Sequence, residues 1–321
     1  MMSFPAWGAE KWKDLPENPL IGPADAGQDK DRGVIGDPQV ILPGEFDGRW
    51  HMFFIGRGHF YRFDSSDGIR WEFVYDHLWN SGPACVTSDG RTWLAYYTRV
   101  TAGTAYSTIC ARTSGDLANW SEPVELLAPQ LDWEREGRVV QVRNPNLVML
   151  PDGRFRLYYS GGTVWMHDMN FEEPKYVGFA ESDSPLGPFV KHPAPILGPD
   201  STKAYRQHGA GAMKVFAYGD AFLGLANGLY IDADNHTRSA IDVLMSEDGI
   251  DWRDAPYNPI LAPSGEGWKQ ALVYQLDLRW HQGALWLFYN AREGWPKARE
   301  WIGCSTLDWP GPPPRKMWRL P

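Results

Sequence analysis

Apolar residues fall along this chain in short runs of four to eight, broken by Gly, Asp, Asn and Pro. No capped stretch keeps a 3.6-residue period, so long helices are not expected. The runs pair up: an apolar run, a Gly-containing turn that is mostly Asp-Gly, then a run rich in Trp, Phe and Tyr. Five stretches share that plan. They are "GDPQVILPGEFDGRWHMFFIG" from Gly36, "SGPACVTSDGRTWLAYYTR" from Ser81, "RNPNLVMLPDGRFRLYYSG" from Arg143, "HGAGAMKVFAYGDAFLGLANG" from His208 and "ALVYQLDLRWHQGALWLFYNA" from Ala271. Each reads as a β-hairpin.

A second phrase follows four of the hairpins: "FDSSDGIRWE" (63–72), "CARTSGDLANWS" (110–121), "GFAESDSPLGPF" (178–189) and "LMSEDGIDWRD" (244–254). The fifth keeps a shortened "IGCSTLDW". Each supplies a strand, a Ser/Asp/Gly turn and an aromatic placed to pack back. Repeats of about forty to sixty residues with four strands each predict a β-propeller. The expectation is an all-β, five-bladed β-propeller of four-stranded antiparallel blades, one domain over residues 1–321. The N-terminal "NPLIGPA" matches the closing phrases "APILGPD" and "NPILAPS", and is a candidate for the opening strand of the ring. The alternative is a β-sandwich or an irregular all-β chain.

Composition narrows the function. The 321 residues include 17 Trp, 33 Gly and 26 Pro, as many turns and short strands require. The net charge of −9 and the lack of a basic run argue against a nucleic-acid partner. No apolar run is long enough to span a membrane. The N-terminus has no apolar h-region, so the expectation is a cytoplasmic protein without a signal peptide. Cys85, Cys110 and Cys304 are odd in number and lack metal spacing, which reads as buried free thiols.

In a propeller the innermost strands line a central channel, and the residues heading them converge. Here these are Asp37, Gly82, Asn144, His208 and either Tyr274 or Gln275. At this point the chain resembles the five-bladed propeller glycosidases, the group of arabinanases, β-xylosidases and invertase-like enzymes. "GDPQV", "DGRFRLYYS", "SDSPLGPF" and "SEDGIDW" carry the resemblance. It implies three acids: a first-blade Asp as base or nucleophile, a third-blade Asp that orients and tunes, and a fourth-blade Glu as proton donor. The first falls on Asp37. The second falls on Asn144, an amide, and the third falls near His208. One acid of three remains.

Two readings follow. In one, hydrolysis survives: Asp37 is the base and His208 the acid, with an inverting course. Asn144 then holds a hydroxyl or Asp37, and Arg143 favours ionised Asp37. In the other, the pocket has lost hydrolysis and serves a lyase, isomerase or cyclase, or only binds sugar. Glu293 is a candidate replacement carboxylate. The loops after the hairpins offer substrate contacts: His59 with Arg57 and Tyr61; Trp165, His167 and Asp168; Tyr230, Asp232 and Asp234; Arg292 with Trp295. Gln275 belongs with them from the inner strand. Aromatic faces and polar groups in such loops suit a sugar. Glu134 and Glu136 read as solvated loop residues. The expected partner is a small carbohydrate or glycoside. No cofactor is expected, although the resemblance allows a channel cation such as calcium. Oligomeric state is left open.

Overall fold

The computed structural model describes residues 3–296 and 298–316. Almost all regular structure there is β, with four one-turn 3₁₀ segments. The strands pair as successive antiparallel groups. The first group runs from Gly36–Ile41 through Trp50–Gly56 and Gly58–Ser65 to the start of Glu72–Ser88. That long strand then passes into the second group, where it pairs with Trp93–Val100, followed by Tyr106–Ser114 and Val124–Leu127. The third group is Val140–Met149, Phe155–Met166, Phe171–Ser182 and Val190–Lys191. The fourth is Met213–Tyr218, Ala221–Ile231, Thr237–Ser246 and Arg253–Asp254. The fifth is Leu272–His281, Ala284–Arg292 and Glu300–Asp308, with Lys13–Asp14 from the N-terminal segment at its edge. Ile21 of "NPLIGPA" bridges Ile302, so this phrase lies at the outer side of the fifth group rather than opening the first.

The innermost strands are tied to one another by side chains. Asp277 of the fifth accepts the Val40 N–H of the first at 2.7 Å, and Asn146 of the third accepts Val215 N–H of the fourth at 2.7 Å. Lys214 is 2% exposed and reaches the carbonyls of Ala84 and Pro145 at 3.1 and 3.3 Å. Near the C-terminus, Arg315 exchanges both backbone hydrogen bonds with Ala217, and Lys316 pairs with Asp277 at 2.7 Å. A buried charge is tolerated only with such partners.

Each innermost strand carries a bulge near its start. Residues 37 and 38 together face one residue of the next strand, as do 82 and 83, 144 and 145, and 274 and 275. The fourth group has the same one-residue shift between the Gly209–Leu229 bridge and the Met213–Ala226 pair. A bulge bends the strand and breaks the in–out alternation of side chains. Asp37, Asn144 and Gly211 hold the left-handed conformation there, at φ 59°, 56° and 61°. Asp, Asn and Gly are the residues that enter that region at least cost.

Between the groups, aliphatic and aromatic faces pack into buried clusters, one of them built from Trp7, Leu225, Val243, Leu276, Leu287 and Tyr289 among others. All three cysteines are buried and unpaired, as expected.

Candidate active site

The bulges set the site. They turn Asp37, Asn144, Tyr274 and Gln275 toward a cavity of about 310 Å³ at the head of the innermost strands. Arg143 lines it too, next to Asn144, which strict alternation along a strand would forbid. Two further carboxylates enter from the third strands of their groups: Glu173 from Phe171–Ser182 and Glu300 from Glu300–Asp308. Asp37, Glu173 and Glu300 are all more than nine-tenths buried.

The three carboxylates are held differently. Glu300 is fixed: Arg292 Nη1 donates to it at 2.7 Å and Asn290 Nδ2 at 3.2 Å. Asn290 also accepts the Asp37 backbone N–H at 3.2 Å, which links the fifth group to the first. Burial still raises the Glu300 carboxyl above its ordinary range, against Arg292. Burial raises Asp37 to about 6, with Lys214 and Arg143 pulling it down and Glu300 pushing it up. Glu173 rises further, to about 7, through burial and the neighbouring Glu300 and Asp37, with Arg143 and Arg292 opposing. The Tyr274 hydroxyl is driven well above its normal value by burial beside Glu173 and Glu300, so it stays an O–H donor.

Four buried polar atoms of this cavity have no hydrogen-bond partner among the described residues: Asp37 Oδ1, Arg143 Nε, Tyr274 Oη and Gln275 Nε2. Buried polar atoms are normally satisfied, and a cluster of exceptions in one cavity marks a place built for a polar ligand. Asn144 is better satisfied. Its Nδ2 donates to Ser160 Oγ at 3.1 Å and its N–H to Thr98 Oγ1 at 3.2 Å.

The structure thus brings together Asp37, Asn144, Arg143, Gln275 and Arg292 from the sequence candidates. It does not bring His208 there. His208 is exposed, three residues before the bulge position, which Gly211 occupies. Glu293 is also elsewhere, paired through both oxygens with Arg299 at 2.6 and 2.7 Å in a shallow depression with Trp295 and Trp301. Arg299 holds its carboxyl below the usual range.

The loop candidates serve other ends. Asp168 binds the backbone and hydroxyl of Thr237. Asp232 closes a turn on the N–H groups of Asp234 and His236 and pairs with Arg238 at 2.7 Å. Tyr230 packs edge-on against Tyr205. Trp165 lies under Arg138, with exposed His167 at its edge. His59 pairs with Asp76 in a separate groove that includes Arg57 and Tyr61. Glu134, expected in a solvated loop, is fully buried instead and paired with Lys191 at 2.6 Å.

Sequence reasoning missed Glu173, Glu300 and Lys214. The available signal for the first was "EEP", a Glu-Pro inside a strand whose apolar neighbours imply burial. Among the described residues, no group of three or more His, Cys, Asp or Glu is placed to hold a metal ion. No helix there is long and apolar enough to cross a membrane.

No family model matches the chain, and no curated protein matches it. Solved structures do match in fold. A thermostable family-43 glycoside hydrolase superposes with a TM-score of 0.63 at 13% identity, over 88% of this chain and 96% of its own. A glycosyl hydrolase from Bacteroides ovatus gives 0.63 at 13% identity, over 97% and 98%. An N-acetylgalactosamine deacetylase from F. plautii, solved with blood group B trisaccharide, gives 0.63 at 14% identity, over 94% of each chain. The chain shares the all-β fold of these proteins.

Proposed function

We propose that the strand groups are the five blades of one propeller domain, and that its cavity cleaves a glycosidic bond in a small carbohydrate. The observation that carries this is the convergence of Asp37, Glu173 and Glu300 in one cavity with four unpartnered polar atoms. Glycoside hydrolysis needs one group to protonate the leaving oxygen and another to activate water or attack. Asp37, near 6, is mostly ionised at neutral pH and serves as the base. Glu173, near 7, still carries a proton on about half of the molecules and serves as the acid in place of His208. Glu300, clamped by Arg292 and Asn290, is a positioning residue that fixes the backbone of Asp37 through Asn290. Tyr274 and Gln275 offer neutral donors for sugar hydroxyls. The direct-displacement, inverting course remains part of the proposal.

The test is a hydrolysis screen on aryl glycosides and oligosaccharides with wild type, Asp37→Asn and Glu173→Gln. Cleavage by wild type, with a loss of about 10²–10⁴-fold in kcat for each variant, supports the assignment. Full activity in either variant removes that residue from the mechanism. Sugar binding without cleavage by wild type moves the protein to the non-hydrolytic reading.

A further inference from the structure

We propose that the cavity selects a sugar bearing a carboxylate, a uronate, and that Arg143 is the residue that binds this group. The inference rests on the glycoside reading above. Its ground is the state of Arg143. Arg143 is half-buried, whereas the fully buried cations in and near the cavity have partners: Arg292 pairs with Glu300 at 2.7 Å, and Lys214 is bound to two carbonyls. Arg143 lines the cavity but makes no side-chain hydrogen bond or ion pair among the described residues, and its Nε is buried without a partner.

A guanidinium kept only to balance Asp37 and Glu173 would touch one of them. Arg292 shows what that looks like in this same cavity. Arg143 acts on both carboxylates through space and contacts neither. Its fork of donors is therefore left for a planar acceptor, and a carboxylate fits it in two parallel hydrogen bonds. The remaining unpartnered atoms complete a sugar site. Tyr274 Oη and Gln275 Nε2 donate to hydroxyls, and Asp37 Oδ1 accepts from a hydroxyl or from the attacking water. A cavity of about 310 Å³ holds one ring of that kind.

Charge favours one anionic group and no more. Of the groups lining the cavity, Arg143 and Arg292 give +2 and Asp37, Glu173 and Glu300 give −3, a sum of −1 when all are ionised, which Lys214, acting on Asp37 through space from outside the lining, brings to 0. A substrate carboxylate takes this to −1. The site relieves that by proton uptake at Glu173, which with a value of about 7 is half ionised beforehand and takes up about half a proton at pH 7. Substrate binding then loads the proton donor. A doubly charged phosphate ester would leave an excess that one proton does not cancel.

The experiment is calorimetric titration of the full chain at pH 7 with methyl glucuronoside and methyl galacturonoside, their neutral hexosides, and 6-sulfated methyl galactoside. It is repeated for Arg143→Met and Arg143→Lys. The expected result is about 10- to 100-fold tighter binding of uronosides than of their neutral parents. The preference for uronosides over their neutral parents disappears in Arg143→Met and returns in part in Arg143→Lys. Titration in two buffers of different ionisation enthalpy shows net proton uptake with uronosides only. Equal binding of neutral and uronate sugars by wild type overturns the inference and leaves the glycoside reading standing. Equal binding of the sulfated sugar overturns the choice of a carboxylate. Binding of no sugar at all overturns both. The wild-type comparison decides the matter even if Arg143→Met fails to fold.

Discussion

Replacing Arg292 by Met should unbalance the candidate site in a way that thermal melting can read. Arg292 and Glu300 have side chains 7% and 10% exposed and meet at 2.7 Å. Without Arg292, Glu300 keeps only the Asn290 amide, at 3.2 Å. Breaking a buried pair from one side costs about 3–5 kcal/mol. Unfolding entropy near 2.1 cal/mol/K per residue over 321 residues comes to about 670 cal/mol/K. The melting temperature should then fall by about 4–8 °C near neutral pH, if unfolding is one cooperative step.

The loss should depend on pH. Glu300 already has a folded pKa above its ordinary value. Stability from such a group is full below the unfolded value and drains away as pH rises through the folded one. Removing Arg292 moves the folded value higher still, so the deficit should narrow toward pH 5 and widen toward pH 8. Circular dichroism melts of wild type, Arg292→Met and Arg292→Met/Glu300→Gln across that range test it. The double variant removes the stranded charge and should recover most of the loss. A deficit that ignores pH, or a double variant no better than the single, refutes the reasoning.

Three other outcomes follow from the same geometry. The pH dependence of kcat/KM should be bell-shaped, with limbs near 6 and 7 set by Asp37 losing and Glu173 keeping a proton; a flat profile from pH 5 to 8 counts against both roles. His208→Ala and Glu293→Gln should change kcat/KM by less than about threefold, because neither lines the cavity. Lys316→Met leaves Asp277, whose side chain is 2% exposed, without its ion-pair partner and with only the Val40 N–H, and should lower the melting temperature by several degrees, with Asp277→Asn in the same chain restoring part of it.

The repeated hairpins were legible because their Asp-Gly turns and aromatic second strands recur at regular spacing. The bulge was not visible as such, yet its backbone explains the Asp-Pro and Asn-Pro that head two of the strands. Residues 37 and 144 both need positive φ, and Asp and Asn tolerate it. The amide at Asn144 thus satisfies the backbone as well as Asp does, and it need not carry charge. In the fourth group Gly211 meets the same demand, and "HGAGA" offers no Pro to mark it, so the register slipped by three to His208. Glu173 and Glu300 escaped notice because they stand on third strands. Nothing in the spacing of the first-strand residues shows how far the edges of those strands fold over the cavity.

The pairing of Lys13–Asp14 with Ser305 and Thr306, and of Asn18 with both backbone groups of Cys304 at 2.8 and 2.9 Å, has a consequence for how the chain is made. These contacts span about 290 residues, so they form only after nearly everything between them has left the ribosome. Until then the segment around residues 13–21 has no strand to join and keeps an unpaired edge exposed. Such an edge invites pairing with another chain. Pulse-labelled synthesis should therefore show protease resistance arriving late, in one step, after residue 308 emerges, rather than group by group.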